Sequence, residues 1–115
     1  MKTQISANEH KYFVGYYAGP YNTSQFAFKV FGDLGSAMLF VKSKLEYFKS
    51  SSYGFSVYSN EQVKKGNHYV QKTFLEWHRD GEDCRGELVN PDVGWRIYID
   101  ENNQIREEHF TPKGE

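Results

Sequence analysis

A single cysteine, Cys84, is all that the chain has of that residue. No internal disulfide can form, which fits a reducing compartment. No apolar run approaches the ~18 residues of a membrane span, and the polar start Met1–Glu9 lacks the apolar centre of a signal peptide. The expectation is a cytoplasmic protein that does not engage a membrane. There is no internal repeat and no low-complexity block. Apolar residues are scarce at 38%, but aromatic rings, at 17%, supply much of that share through nine Tyr, nine Phe and two Trp. Large rings carry much apolar area each, so few of them can build a small core. At 115 residues the chain has room for one domain, which buries roughly two thirds of its unfolded surface. Residues 1–9 and 111–115 are expected to be loose termini.

Motifs for chemistry are also lacking. Gly32-Asp33-Leu34-Gly35-Ser36 precedes a helical pattern, but without a Lys-Ser/Thr ending it matches neither a P-loop nor a dinucleotide fingerprint. Its aspartate would repel a phosphate. His78, Asp80, Asp83 and Cys84 fall within seven residues, yet structural zinc sites pair two ligand clusters at set spacing and only one is present. The same stretch lacks the alternate oxygen ligands of a calcium loop. Nothing ties His10, His68, His78 or His109 to a nucleophile, and carboxylates beside Cys84 raise its pKa. Glu107 and Glu108 are adjacent on a strand pattern and point to opposite faces, so they cannot share an acid–base site. A non-enzymatic chain with no cofactor and no metal is expected.

What is present is a pattern of strands around one helix. Lys11–Ala18 is rich in aromatic and β-branched residues and stops at Gly19-Pro20, and Gln25–Phe31 alternates apolar and polar positions. The turn-forming residues between them predict a hairpin. Asp33 is placed to cap a helix. Leu34, Ala37, Met38, Val41, Leu45 and Phe48 then recur at spacings of three and four, predicting an amphipathic helix over about 34–49. Gly54, just past it, can supply a left-handed terminus. A short strand is predicted at Phe55–Ser59, then a polar loop with a turn at Lys64-Lys65-Gly66-Asn67. A long strand follows at His68–His78. Arg79–Asp92 reads as an acidic loop with at most a short strand near Glu87–Val89. Trp95–Asp100 and Gln104–Phe110 flank Glu101-Asn102-Asn103 as a hairpin. The expected fold is α+β, one amphipathic helix on a mainly antiparallel sheet of five to six strands, in the order β-β-α-β-β-β-β.

Charge is uneven. Residues 26–72 hold seven lysines against three acids, while residues 73–115 hold eleven acids against five basic residues, and the whole chain is −1. The leading expectation is a protein-binding domain that uses acidic and aromatic surface: Tyr16, Tyr17 and Tyr21 at a rigid strand end, with Glu82, Asp83, Glu107 and Glu108. An acidic face of this kind would suit a basic, nucleic-acid-binding enzyme as partner. Small aromatic-rich domains without motifs are common among viral (phage) and mobile-element proteins that inhibit a host enzyme or act as host-defence antagonists, and that class is the expectation by association. The alternative is nucleic-acid binding through Lys42, Lys44 and Lys49 on the helix with Lys64 and Lys65 on the loop. A third reading is a ligand-binding or enzymatic pocket between helix and sheet.

Overall fold

The computed structural model describes residues 10–19, 25–81 and 83–112, with backbone alone for 25–28. The expected positions 1–9, Tyr21, Glu82 and 113–115 lie outside the described residues. Strands run over Tyr12–Tyr17 (β1), Gln25–Phe31 (β2), Gly54–Lys65 (β3), His68–His78 (β4), Arg85–Asn90 (β5), Trp95–Ile99 (β6) and Ile105–His109 (β7), with the helix Leu34–Ser51 (α1) between β2 and β3. All strand pairs are antiparallel, in the spatial order β2-β1-β3-β4-β5-β6-β7. The α+β class and the helix on an antiparallel sheet hold. Among the described residues the sheet has seven strands rather than five to six, so the order gains a strand after α1.

The added strand is β5. Its sequence RGELVN has a glycine at φ 109° in second place and ends on asparagine, both poor strand formers, and its two inward side chains are Leu88 and Asn90. The polar half of β3, from Asn60 on, is strand where a loop is expected. It is held instead by hairpin pairing with β4, from Gln62↔Gln71 to Lys65↔His68, across a turn whose Gly66 has φ 66°. The two shorter hairpins form as expected. At the β6–β7 turn Asp100 Oδ1 accepts from the N–H groups of Asn102 at 2.8 Å and Gln104 at 2.9 Å.

Asp33 caps α1 by accepting from Ser36 N at 2.7 Å, and the expected apolar stripe is the buried one: Ala37, Met38, Val41, Leu45 and Phe48. The helix ends at Ser52 in extended conformation, not at a left-handed Gly54. Gly54 is glycine for a different reason. It lies in β3, where an added Cβ would stand 2.5 Å from Trp77 O.

One face of the sheet, here the inner face, curls around α1. Val14, Phe55, Val57, Leu75 and Trp77 come from the β1–β4 half, and Leu88, Trp95 and Ile97 from the β5–β7 half, all buried in one core. Phe48 of the helix stacks on Phe55 at 4.6 Å. Among the described residues the strand register between the two halves consists of two pairs, Leu75↔Gly86 and Glu76↔Arg85. There a Cβ on Gly86 would sit 2.3 Å from Phe74 O and 2.6 Å from Leu75 Cα, at φ +109°. A side chain at this point must push the half-sheets apart. Gly86→Ala should therefore lower unfolding free energy by about 2–3 kcal/mol, whereas Gly32→Ala, with nothing within 4 Å of its Cβ, should stay within about 0.5 kcal/mol of wild type. Urea denaturation checks this, and equal midpoints for the two variants would contradict the close approach.

Candidate functional site

The outer face of the sheet carries a different set of side chains. Strand alternation sends Phe13, Tyr17, Ser56, Tyr58, Glu76 and His78 outward while Val14, Tyr16, Phe55, Val57 and Trp77 go inward. No helix or strand packs on the outer face among the described residues. Phe13 and Tyr58 stack across the strands at 5.2 Å, and Tyr17 stacks on His78 at 5.1 Å. Between them Tyr17, Ser56, Tyr58, Gln71, Thr73 and Glu76 line a shallow polar depression of about 240 Å³. Beyond it the β3–β4 ribbon projects from the sheet with every residue from 61 to 69 exposed. Gln62, Gln71, Lys64 and Tyr69 share its outward side by register, and Tyr69 is 64% exposed.

Glu76 organises the end of this face where the half-sheets join. Its Oε2 lies 2.9 Å from His78 Nε2 and its Oε1 lies 2.9 Å from Arg85 Nη2, with the carboxylate side chain only 14% exposed. Ligand atoms of Glu76, His78 and Asp83 lie within 4.8 Å of one another, a set that includes Glu76 in place of the Asp80 and Cys84 of the sequence cluster. Both oxygens of Glu76 are engaged already, and Arg85 supplies the positive charge that a cation would bring. The trio thus reads as a compensated ion-pair network. Cys84 packs beside it, half-buried: its Sγ accepts from His78 N at 3.2 Å, and burial first, then the nearby carboxylates, push its thiol above the ordinary value. A thiol held protonated is a poor nucleophile.

Charges take over toward β7. Arg96 bridges Glu87 at 2.5 Å and Glu108 at 2.8 Å while lying 4.1 Å over the Tyr98 ring. Arg106 pairs with Asp100 at 2.7 Å, which together with backbone N–H donors holds the Asp100 carboxyl below its ordinary value.

The structure divides the residues expected to bind protein. Tyr17, Asp83 and Glu108 belong to the outer face. Tyr16 and Glu107 are inward: Tyr16 packs on Phe48 and Tyr47, and Glu107 accepts from Trp95 Nε1 at 3.1 Å. Among the described acids named for binding, Glu107 and Glu108 are tied to partners within the chain, so the C-terminal hairpin offers less free negative charge than its composition suggests. The lysines divide as well. Lys42 lies 6.0 Å over the Trp95 ring on the inner side, Lys44 borders a groove beneath α1, and Lys49 stands in the last turn of the helix. Lys64 and Lys65 stand at the ribbon tip on opposite sides. Sequence reasoning missed Phe13, Ser56, Tyr58, Gln71 and Thr73. Their only signal was parity with Tyr17 along neighbouring strands, which becomes readable once the register is known.

Comparisons with protein-family models, with curated proteins and with solved structures find no match to this chain. No described helix is long and apolar enough to cross a membrane.

Tyr17 offers a spectroscopic check on this geometry. Burial first, then the charges of Glu76 and Asp83, raise its pKa above the usual 10.0, while a hydrogen bond with Ser56 acts the other way. A raised folded value means that the neutral ring contributes stability fully below pH 10, and that this contribution is lost as pH rises through the folded pKa. Glu76→Gln should bring the Tyr17 transition down toward its ordinary position without reaching it, because the burial remains. An unchanged transition, followed by ultraviolet absorbance against a Tyr17→Phe reference, would contradict the proximity of the two groups.

Proposed function

We propose that the chain is a non-enzymatic protein-binding domain whose contact surface is the outer face of the sheet. The observation that carries this reading is the contrast between the two faces. The inner face is closed by α1, whereas the outer face presents a continuous strip of rings, hydroxyls and amides from Tyr17 through Tyr58 and Gln71 to Tyr69. Tyr, Ser, Thr and amide side chains are the composition of adaptable recognition surfaces, because tyrosine gives large contact area with few rotatable bonds. The exposed Val30, opposite Phe13, extends the apolar centre, and the Arg96 ladder forms a charged rim. An apolar centre within a polar rim is the anatomy of a protein interface.

Charge favours protein over nucleic acid. Glu76 and Asp83 sit on this face, Arg85 is committed to Glu76, and the helix lysines lie across the sheet from Lys64. A phosphate backbone laid on the outer face would meet few uncommitted cations. Nucleic-acid binding is kept as a second reading for the ribbon alone, where Lys64, Tyr69, Gln62 and Gln71 share one side of a two-stranded projection. The narrower role belongs to the same proposal: a small viral or mobile-element inhibitor that covers a host enzyme or defence complex needs a rigid recognition face on a compact domain. A cytoplasmic working place goes with it, resting on the one unpaired cysteine.

The test is recovery of a partner from cells of the native source. Wild type and a Lys42→Ala, Glu46→Ala control on the helix should retain one stoichiometric protein. Tyr17→Ala combined with Tyr58→Ala should lose it, since truncating central tyrosines costs about 2 kcal/mol or more each. Retention of the same protein by the tyrosine variant, with its fold confirmed by circular dichroism, would refute the outer face. Nucleic acid recovered alone would select the second reading.

A further inference from the structure

On the inner side of the sheet, at the open end of the layer between α1 and β1–β2, a groove of about 380 Å³ is lined by residues of all three elements. Its floor and walls are apolar: Val14 and Phe48 are buried at the bottom, with the Tyr16 and Phe40 rings beside them. Its volume falls within the ~300–1,000 Å³ of small-molecule sites. At the rim stand two ammonium groups, Lys29, whose Nζ lies 5.9 Å from the Phe40 ring centre, and Lys44. Among the described residues no acidic side chain lines the groove, and neither lysine has a carboxylate within ion-pair distance. The charged clusters at Glu76, Arg96 and Arg106 on the outer face and the β6–β7 turn are internally compensated. This one is not.

We propose that the groove binds an amphipathic monoanion, an alkyl chain ended by a carboxylate. The hydrocarbon lies on Val14, Phe48 and Phe40, where burying each methylene is favourable in transfer from water, and the carboxylate remains at the rim between Lys29 and Lys44. The two lysines disfavour an amine-ended chain of equal length, and the apolar walls give nothing to a bare inorganic anion. The groove lies on the opposite side of the sheet from the protein-binding face, so this inference stands or falls independently of that reading.

Isothermal titration of the full chain with decanoate, decanol and decylamine, each below its micelle threshold, tests the proposal. Decanoate should bind at least about tenfold tighter than decanol, and decylamine weakest of the three. Both lysines are exposed, so Lys29→Gln with Lys44→Gln should leave the fold intact and bring decanoate to within about twofold of decanol. Equal affinity for the three ligands, no binding by any of them, or a carboxylate preference that survives the double substitution would each overturn it. The wild-type ligand series decides the question even if the variant is poorly behaved.

Discussion

Two residue pairs hold the sheet together at its middle. Leu75↔Gly86 and Glu76↔Arg85 are the only register between β4 and β5, and they form only because Gly86 has no side chain to strike the Phe74 and Leu75 backbone. This close approach turns the sheet sharply enough for both halves to bury apolar side chains against one helix. Trp95 and Ile97 from one half and Phe55 and Val57 from the other are fully buried, at roughly 1.5–3 kcal/mol for each large apolar side chain removed from water. A helix this short could not cover a flat sheet of seven strands. Curling solves the coverage of the inner face and leaves the outer one uncovered.

The seam also sets the chemistry of the outer face. Glu76 and Arg85 are the outward partners of the same junction, so the charge-compensated network with His78 is a by-product of joining the halves. It separates an aromatic and hydroxyl-bearing region on β1, β3 and β4 from an arginine–carboxylate ladder on β5–β7. Ordering the exposed ribbon of β3 and β4 costs conformational entropy with little core gained in return. The edge strand β7 carries Arg106, Glu107, Glu108 and His109, charges that discourage further strand addition. The proposed contact surface is accordingly the face rather than that edge.

Much of the fold was legible in the residues. The α1 stripe from Leu34 to Phe48, the Asp33 cap and the Glu101-Asn103 turn follow from local spacing and capping chemistry, and all stand as read. Strand β5 showed only as a short stretch near Glu87–Val89, because its full extent from Arg85 to Asn90 depends on a glycine accepting a long-range neighbour, which no local propensity records. The outer half of β3 did not show, since Asn60 to Lys65 has no apolar face and is a strand only because β4 pairs with it. The candidate surface was half legible. Tyr17 and Asp83 were picked out by composition, but Tyr16 and Tyr17 looked alike in sequence and part company across the sheet. Glu107 and Glu108 counted as free acids until Trp95 and Arg96 were found to engage them.

In the proposed complex the uncovered tyrosine-bearing face of the sheet meets a protein while the helix side does not. Hydroxyl-radical footprinting of the chain, free and in complex with its co-purified partner, reads this directly from side chains of the two sides. The account predicts protection of Tyr17, Tyr58 and Tyr69 in the complex, with Tyr47 on α1 oxidised equally in both states. Protection of Tyr47 with the three outer rings unchanged would contradict it.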